Sequence, residues 1–88
     1  SSDIFVRFGG EEFLVLMPET EVEGASIAAE KIRQAVEKNS HPLTGIQTVS
    51  LGVAERMPNE LFIDWYKRVD KAMYAAKRLG RNRVVKSD

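Results

Sequence analysis

Residues 7–13 read RFGGEEF: two glycines followed by two carboxylates, with short runs of strand-forming residues on either side. Residues 4–8 (IFVRF) and 13–17 (FLVLM) are rich in branched and aromatic side chains, and a Gly-Gly pair between two such runs predicts a β-hairpin. The second run is apolar without alternation, the pattern of a central strand covered on both faces. Pro18 is expected to end it.

From Val22 the spacing turns helical, with Ala25, Ala28, Ala29, Ile32 and Val36 on one stripe. Glu30, Lys31, Arg33, Gln34, Glu37 and Lys38 supply the wet face. Residues 39–45 form a loop by composition. In residues 47–53 (QTVSLGV) the alternation of Val49, Leu51 and Val53 predicts a strand with one covered face. Phe62, Trp65, Val69, Ala72 or Met73, and Ala76 recur at helical spacing up to Gly80, a natural C-terminal cap residue. Trp65, Tyr66 and Tyr74 fall on this helix and are expected to pack in the core. Val84 and Val85 suggest a short edge strand. The order β-β-α-β-α-β implies an α+β or α/β sheet with its helices on one face. The run at 13–17 lacks an obvious neighbour on its second edge, so the domain reads as incomplete, with sheet missing upstream.

Composition narrows the function classes. The chain has 88 residues, small for a comfortably stable single core. Thirteen acidic residues balance thirteen basic ones, which disfavours a nucleic acid polymer as partner. No cysteine is present, excluding disulfides and thiolate metal sites. No apolar run is long enough to span a bilayer, and the N-terminus does not read as a targeting signal. The expectation is a cytoplasmic chain without direct membrane contact, any membrane anchor of a larger parent lying outside it.

The turn itself carries chemistry. Glycines let a phosphate approach, and backbone N–H groups in such a turn can point at its oxygens. Carboxylates beside them would repel that phosphate unless a cation lay between, so Gly9, Gly10, Glu11 and Glu12 together suggest a magnesium–nucleotide site. The same tetrapeptide also serves as an ordinary solvated hairpin turn, and alone it leaves both readings open. Lys77, in the last turn of the second helix, and Arg81, just past Gly80, are cations suited to phosphate. Both also suit the negative end of a helix dipole. His41 reads as solvent-facing. Arg7 could pair with Glu12 or Asp3, or orient the carboxylates.

RFGGEEF resembles the signature of GGDEF diguanylate cyclases in its GGEEF variant. Residues 48–54 (TVSLGVA) are similar to the family's T-[VI]-S-[IL]-G-V-A strand, and residues 69–84 (VDKAMYAAKRLGRNRV) to its A-D-x-A-[LM]-Y-x-A-K-x-x-G-R-N-x-V ending. The resemblance covers essentially the whole chain. It implies a palm-like, nucleotide-cyclase or ferredoxin-like sheet, and a reaction that joins two GTP molecules into cyclic di-GMP with release of two pyrophosphates. Glu11 would coordinate Mg²⁺ or Mn²⁺, and Glu12 would assist metal binding or activate the attacking hydroxyl. Gly9 and Gly10 would admit the phosphates, with Lys77 and Arg81 holding the triphosphate. Two domains would face each other, each presenting one nucleotide, which makes a homodimer the expected working state.

A full domain of this kind is roughly twice as long, so residues 1–88 correspond to its C-terminal half. The absent half would carry a D-x-D-x-F strand completing the metal site and the residues that read guanine, so the 88-residue chain alone is expected to be inactive. The family's R-x-x-D inhibitory motif survives only as Asp3, and Lys31 stands where inhibited members place an arginine. The absent first strand is expected between the strand at 13–17 and the one near 48–54. Its open edge would favour a swapped oligomer. A rival reading is a GGDEF module that binds GTP or cyclic di-GMP as a sensor, and a third is a structural oligomerisation unit.

Overall fold

The structure is a computed structural model that describes residues 2–9, 13–39 and 48–87. Six elements follow in the expected order: β1 (Ser2–Gly9), β2 (Phe13–Thr20), α1 (Val22–Lys38), β3 (Ser50–Glu55), α2 (Phe62–Arg78) and β4 (Val84–Lys86). They build a four-stranded sheet of order β2-β1-β3-β4. β1 runs antiparallel to both β2 and β3, and β4 runs parallel to β3. β2 continues past Pro18 to Thr20, through a shift of register between Ser2 and Ile4 of β1. Proline is tolerated there because an edge strand leaves one row of N–H groups unneeded. The irregular end is held locally: Glu19 has a positive φ of 50°, and its N–H donates to the Asp3 carboxylate at 3.2 Å.

The middle of the sheet differs from expectation. The place between β2 and β3, assigned by the sequence to an absent strand, is filled by β1, which pairs with β2 from Ile4↔Met17 to Phe8↔Phe13 and with β3 from Ile4↔Glu55 to Gly9↔Ser50. β2 is the outer strand, and Val15 and Leu16 are 41% and 52% exposed. The reason lies in the side chains of β1. Ile4 and Val6 point to one face and Phe5 and Arg7 to the other, all buried, so β1 furnishes core to both layers. Among the described residues nothing pairs with the outer edge of β2.

The helices lie on opposite faces rather than on one. Ile4, Val6, Leu51 and Val53 form a core cluster with Ala25 and Ala29 of α1. Phe5 and Ala54 form another with Trp65 and Val69 of α2. β3 is thus buried on both sides, where its alternation implied a single covered face. On α1 only Ala25 and Ala29 are fully buried, and Ile32, placed on the stripe by its spacing, is 39% exposed. Two alanines bring α1 close to the sheet, and the larger residues flank the contact.

α2 lies closer still. A Cβ built on Gly52 would stand 2.4 Å from the Met73 backbone nitrogen and 2.5 Å from the Val69 carbonyl oxygen, so the backbone of α2 rests directly on β3. Trp65 closes the far end of this contact, stacked on Phe5 with ring centroids 3.9 Å apart and its Nε1–H donating to the Ala54 carbonyl at 2.8 Å. Trp65 is in the core as expected, whereas Tyr74 is 45% exposed because it turns away from the sheet side of the helix that Met73 and Ala76 occupy.

Arg68 fastens the outer side of α2. Its Nε and Nη2 donate to the two Glu60 carboxylate oxygens at 2.7 and 2.8 Å, Nη1 donates to Ser87 Oγ at 2.9 Å, and Nη2 also reaches the Glu55 carbonyl. The Arg68 fork, with help from the Met57 N–H, lowers the Glu60 carboxyl from its ordinary 4.5 to about 2. A depressed carboxyl stabilises the fold above its unfolded value and loses that contribution as pH falls through its folded one.

Two stability predictions follow from this packing. Gly52→Ala should cost about 2–3 kcal/mol in urea unfolding, because helix backbone must move to admit the methyl; a change within about 0.5 kcal/mol would show the contact to be looser. Glu60→Gln should cost about 1–2 kcal/mol at pH 7. That difference from the parent chain should shrink as pH falls from about 4.5 to about 2; a difference independent of pH would exclude the charged fork as its source.

Candidate functional site

The sheet register relates the strand ends that flank the expected site. Phe13, Phe8, Leu51 and Val84 stand opposite one another in turn, forming one row across β2, β1, β3 and β4. Gly9 ends β1 and Phe13 begins β2 at this row. β4 enters the sheet at the same row, fed by the segment that follows α2, and the Leu51 N–H donates to the Arg83 carbonyl at 3.0 Å. Two strand spacings separate β1 from β4, about 10 Å. The end of β1, the start of β2 and the C-terminal end of α2 therefore share one end of the sheet.

Gly10, Glu11 and Glu12 lie outside the described residues, as does His41. Gly9 is described through its backbone, paired with Ser50. No group of three or more His, Cys, Asp or Glu able to hold a metal occurs among the described residues, a set that omits both glutamates of the turn.

Lys77 and Arg81 are both placed by the end of α2. Lys77 is half-buried in the last turn, with its ammonium 5.2 Å from the centroid of the exposed Tyr74 ring. The chain then leaves the helix through a left-handed cap: Gly80 has φ 124°, its N–H donates to the Lys77 carbonyl at 3.4 Å, and the Arg81 N–H donates back to the Ala76 carbonyl at 2.9 Å. This is the bonding pattern of a glycine-terminated helix, as Gly80 predicts. Arg81 sits one residue past that glycine, exposed, and itself at φ 62°.

Arg7, whose partner the sequence left open, is held by α2, while its expected partner Glu12 lies outside the described residues. Its Nε lies 3.0 Å from the Asp70 carboxylate, an Nη1–H donates to the Tyr66 hydroxyl, and its guanidinium is 5.3 Å from the Tyr66 ring centroid. At 6% exposure it is buried beneath α2. Asp70 precedes Lys77 by two helical turns on the same helix face. The strand that leads into the acidic turn and the helix that carries Lys77 are thereby locked together by one ion pair. The sequence did hold a signal: an arginine inside an apolar strand requires a counter-charge, and Asp70 interrupts the apolar spacing of α2.

Asp3 uses its carboxylate to receive the Glu19 N–H, the role of an ordinary strand-start acid, and Lys31 is exposed on α1. A separate cleft of about 280 Å³ between α2 and β4 is lined by Arg68, Lys71, Arg78 and Lys86 among others, and contains neither Lys77 nor Arg81. No helix among the described residues is long and apolar enough to cross a membrane.

Comparison with known proteins identifies the family and the fold. The family described as diguanylate cyclase, GGDEF domain, matches residues 1–83. Diguanylate cyclase DgcM of Escherichia coli K12 is 47% identical over 85 residues, which cover 94% of this chain and 20% of the relative. Diguanylate cyclase A of Treponema denticola is 38% identical over 91 residues, covering 99% of this chain and 24% of the relative. Among solved structures, the active GGEEF domain of a diguanylate cyclase from Vibrio cholerae superposes with a TM-score of 0.81 at 36% identity, covering 91% of this chain and 53% of that one. The GGDEF domain of DgcB from Caulobacter crescentus, in complex with c-di-GMP, gives 0.80 at 39% identity, covering 89% and 48%. The chain thus spans about a fifth to a quarter of these curated relatives and about half of these solved domains. With the family matched over residues 1–83 and the fold shared with these solved GGDEF domains, it belongs to the GGDEF-domain family of diguanylate cyclases.

Proposed function

We propose that residues 1–88 form the C-terminal half of a diguanylate cyclase domain whose parent condenses two GTP molecules into cyclic di-GMP, releasing two pyrophosphates. The observation that supports this reading is the shared row of the sheet, at which β1 ends, β2 begins and the segment following α2 enters β4. Lys77 offers a point charge and Arg81 a planar fork, the pair of cations that a triphosphate takes. Gly9 and Gly10 leave the turn bare for phosphate oxygens. Glu11 and Glu12 are hard oxygen donors of the kind Mg²⁺ or Mn²⁺ prefers, and such an ion, when bound, would neutralise charge at the reacting oxygens.

Each 3′-hydroxyl attacks the α-phosphate of the other GTP, so the protein has no covalent intermediate to form. Its task is orientation and charge neutralisation, which explains a site of cations and carboxylates without a nucleophilic side chain. Because each nucleotide is attacked by the other, two domains must meet face to face, and a homodimer is the working unit. The open edge of β2, with Val15 and Leu16 exposed, is also suited to pairing with further strand, from the same protein or from a second copy. DgcB was crystallised with c-di-GMP, which supports product binding by this family member as well. Inhibition of this protein by product should be weak, since Lys31 cannot fork onto phosphate as arginine does. The cytoplasm, where GTP is supplied, is the proposed compartment.

In the full-length parent, Glu11→Ala should lower Mg²⁺-dependent production of cyclic di-GMP from GTP by at least about 100-fold. Unchanged turnover would remove Glu11 from the mechanism. The 88-residue chain alone, given GTP and Mg²⁺, should make no detectable product, and robust synthesis by it would overturn the assignment to half a site.

A further inference from the structure

Three consecutive residues after α2 have left-handed backbone: Gly80 at φ 124°, Arg81 at 62° and Asn82 at 47°. Glycine adopts this region freely and asparagine more readily than most residues, but arginine does so at a cost of roughly 1–2 kcal/mol. Something must therefore hold the turn. On its N-terminal side the Arg81 N–H is bound to the Ala76 carbonyl. On its C-terminal side the Asn82 amide spans to α1, accepting from Arg33 Nη1 at 2.9 Å and donating to Glu37 Oε2 at 2.5 Å.

The partners of that amide are themselves fixed. Arg33 is gripped by Glu30 through two parallel bonds, Nε to Oε1 at 2.6 Å and Nη2 to Oε2 at 2.7 Å. This leaves its remaining nitrogen directed at Asn82. Arginine can only donate and a carboxylate only accept, so the residue between them must accept on one side and donate on the other. An amide meets both demands while tolerating left-handed backbone; aspartate would face Glu37 as a like charge, and glycine would offer no side chain.

We infer that Asn82 is a positioning residue: bridged by Arg33 and Glu37 of α1, it holds the strained turn so that Arg81 is presented for phosphate at the end of the sheet where the hairpin emerges. α1, which carries no residue proposed to touch the triphosphate, then contributes to GTP affinity through this bridge. The inference rests on the proposed role of Arg81 and extends it to residues on another helix.

The test uses the full-length parent, with KM for GTP, kcat and the thermal midpoint measured for four variants. Arg81→Ala should raise KM about tenfold or more, the loss expected for a charged hydrogen bond to phosphate. Asn82→Gly keeps the backbone freedom but removes both bridging contacts, and should raise KM about three- to tenfold with kcat within about twofold. Arg33→Gln, at a largely buried side chain of α1, should raise KM similarly, and the double variant Arg33→Gln with Asn82→Gly should be no worse than the more impaired single one, because both cut the same bridge. A wild-type KM in Asn82→Gly and Arg33→Gln alongside an impaired Arg81→Ala would overturn the bridge and leave the phosphate role of Arg81 standing. A wild-type KM in Arg81→Ala would instead remove Arg81 from the site. Should Asn82→Gly fail to fold, Arg33→Gln decides the question: raised KM at an unchanged thermal midpoint supports the bridge, and unchanged KM overturns it.

Discussion

The backbone of α2 lies on β3 only because position 52 has no side chain; its first carbon would stand 2.4 Å from the Met73 nitrogen. This close approach sets the height of the whole helix above the sheet. At that height Trp65 can stack on Phe5 while its Nε1–H reaches the Ala54 carbonyl, and the guanidinium of Arg7 can span from β1 to Asp70 and Tyr66. The last turn of α2, with Lys77, inherits its position from those contacts. A helix held further away by a methyl group would carry its cations off with it.

At its C-terminal end the helix passes control to a different device. Packing on the sheet ends at Ala76, the last residue of α2 in the core, and Arg81 lies five residues beyond in a strained turn. Left-handed backbone at an arginine is a small reservoir of strain that persists only when neighbours over-determine it. Here the neighbours are the glycine cap on one side and the Arg33–Asn82–Glu37 bridge on the other. The two helices occupy opposite faces of the sheet, and this bridge joins them past its edge. The candidate site is thus held by both layers of the domain.

Local chemistry made much of this legible in the sequence. A Gly-Gly turn between strand-forming runs marks a hairpin, the spacing from Phe62 to Ala76 marks α2, and Gly80 marks its cap, all through interactions within a few residues. What was not legible depended on which elements meet. The run at 13–17 looks central because apolar residues fill it, yet it lies at the edge of the described sheet, with Val15 and Leu16 exposed. The alternation of Val49, Leu51 and Val53 concealed a second buried face, because Gly52 and Ala54 fill that face with almost no side chain. Small residues where helix and strand touch leave little hydrophobic signal, and so the helices were expected on one face. Arg7 found a partner 63 positions away, a pairing that no local pattern specifies.

We propose that one end of this sheet assembles a triphosphate site from a bare acidic turn and the cationic end of a helix. A crystal structure of the complete parent domain with a non-hydrolysable GTP analogue and Mg²⁺ would locate it. The triphosphate should lie between residues 9–12 and the side chains of Lys77 and Arg81, with Glu11 facing the metal. A triphosphate seated instead in the cleft of Arg68, Lys71, Arg78 and Lys86, with Lys77 and Arg81 pointing into solvent, would contradict it.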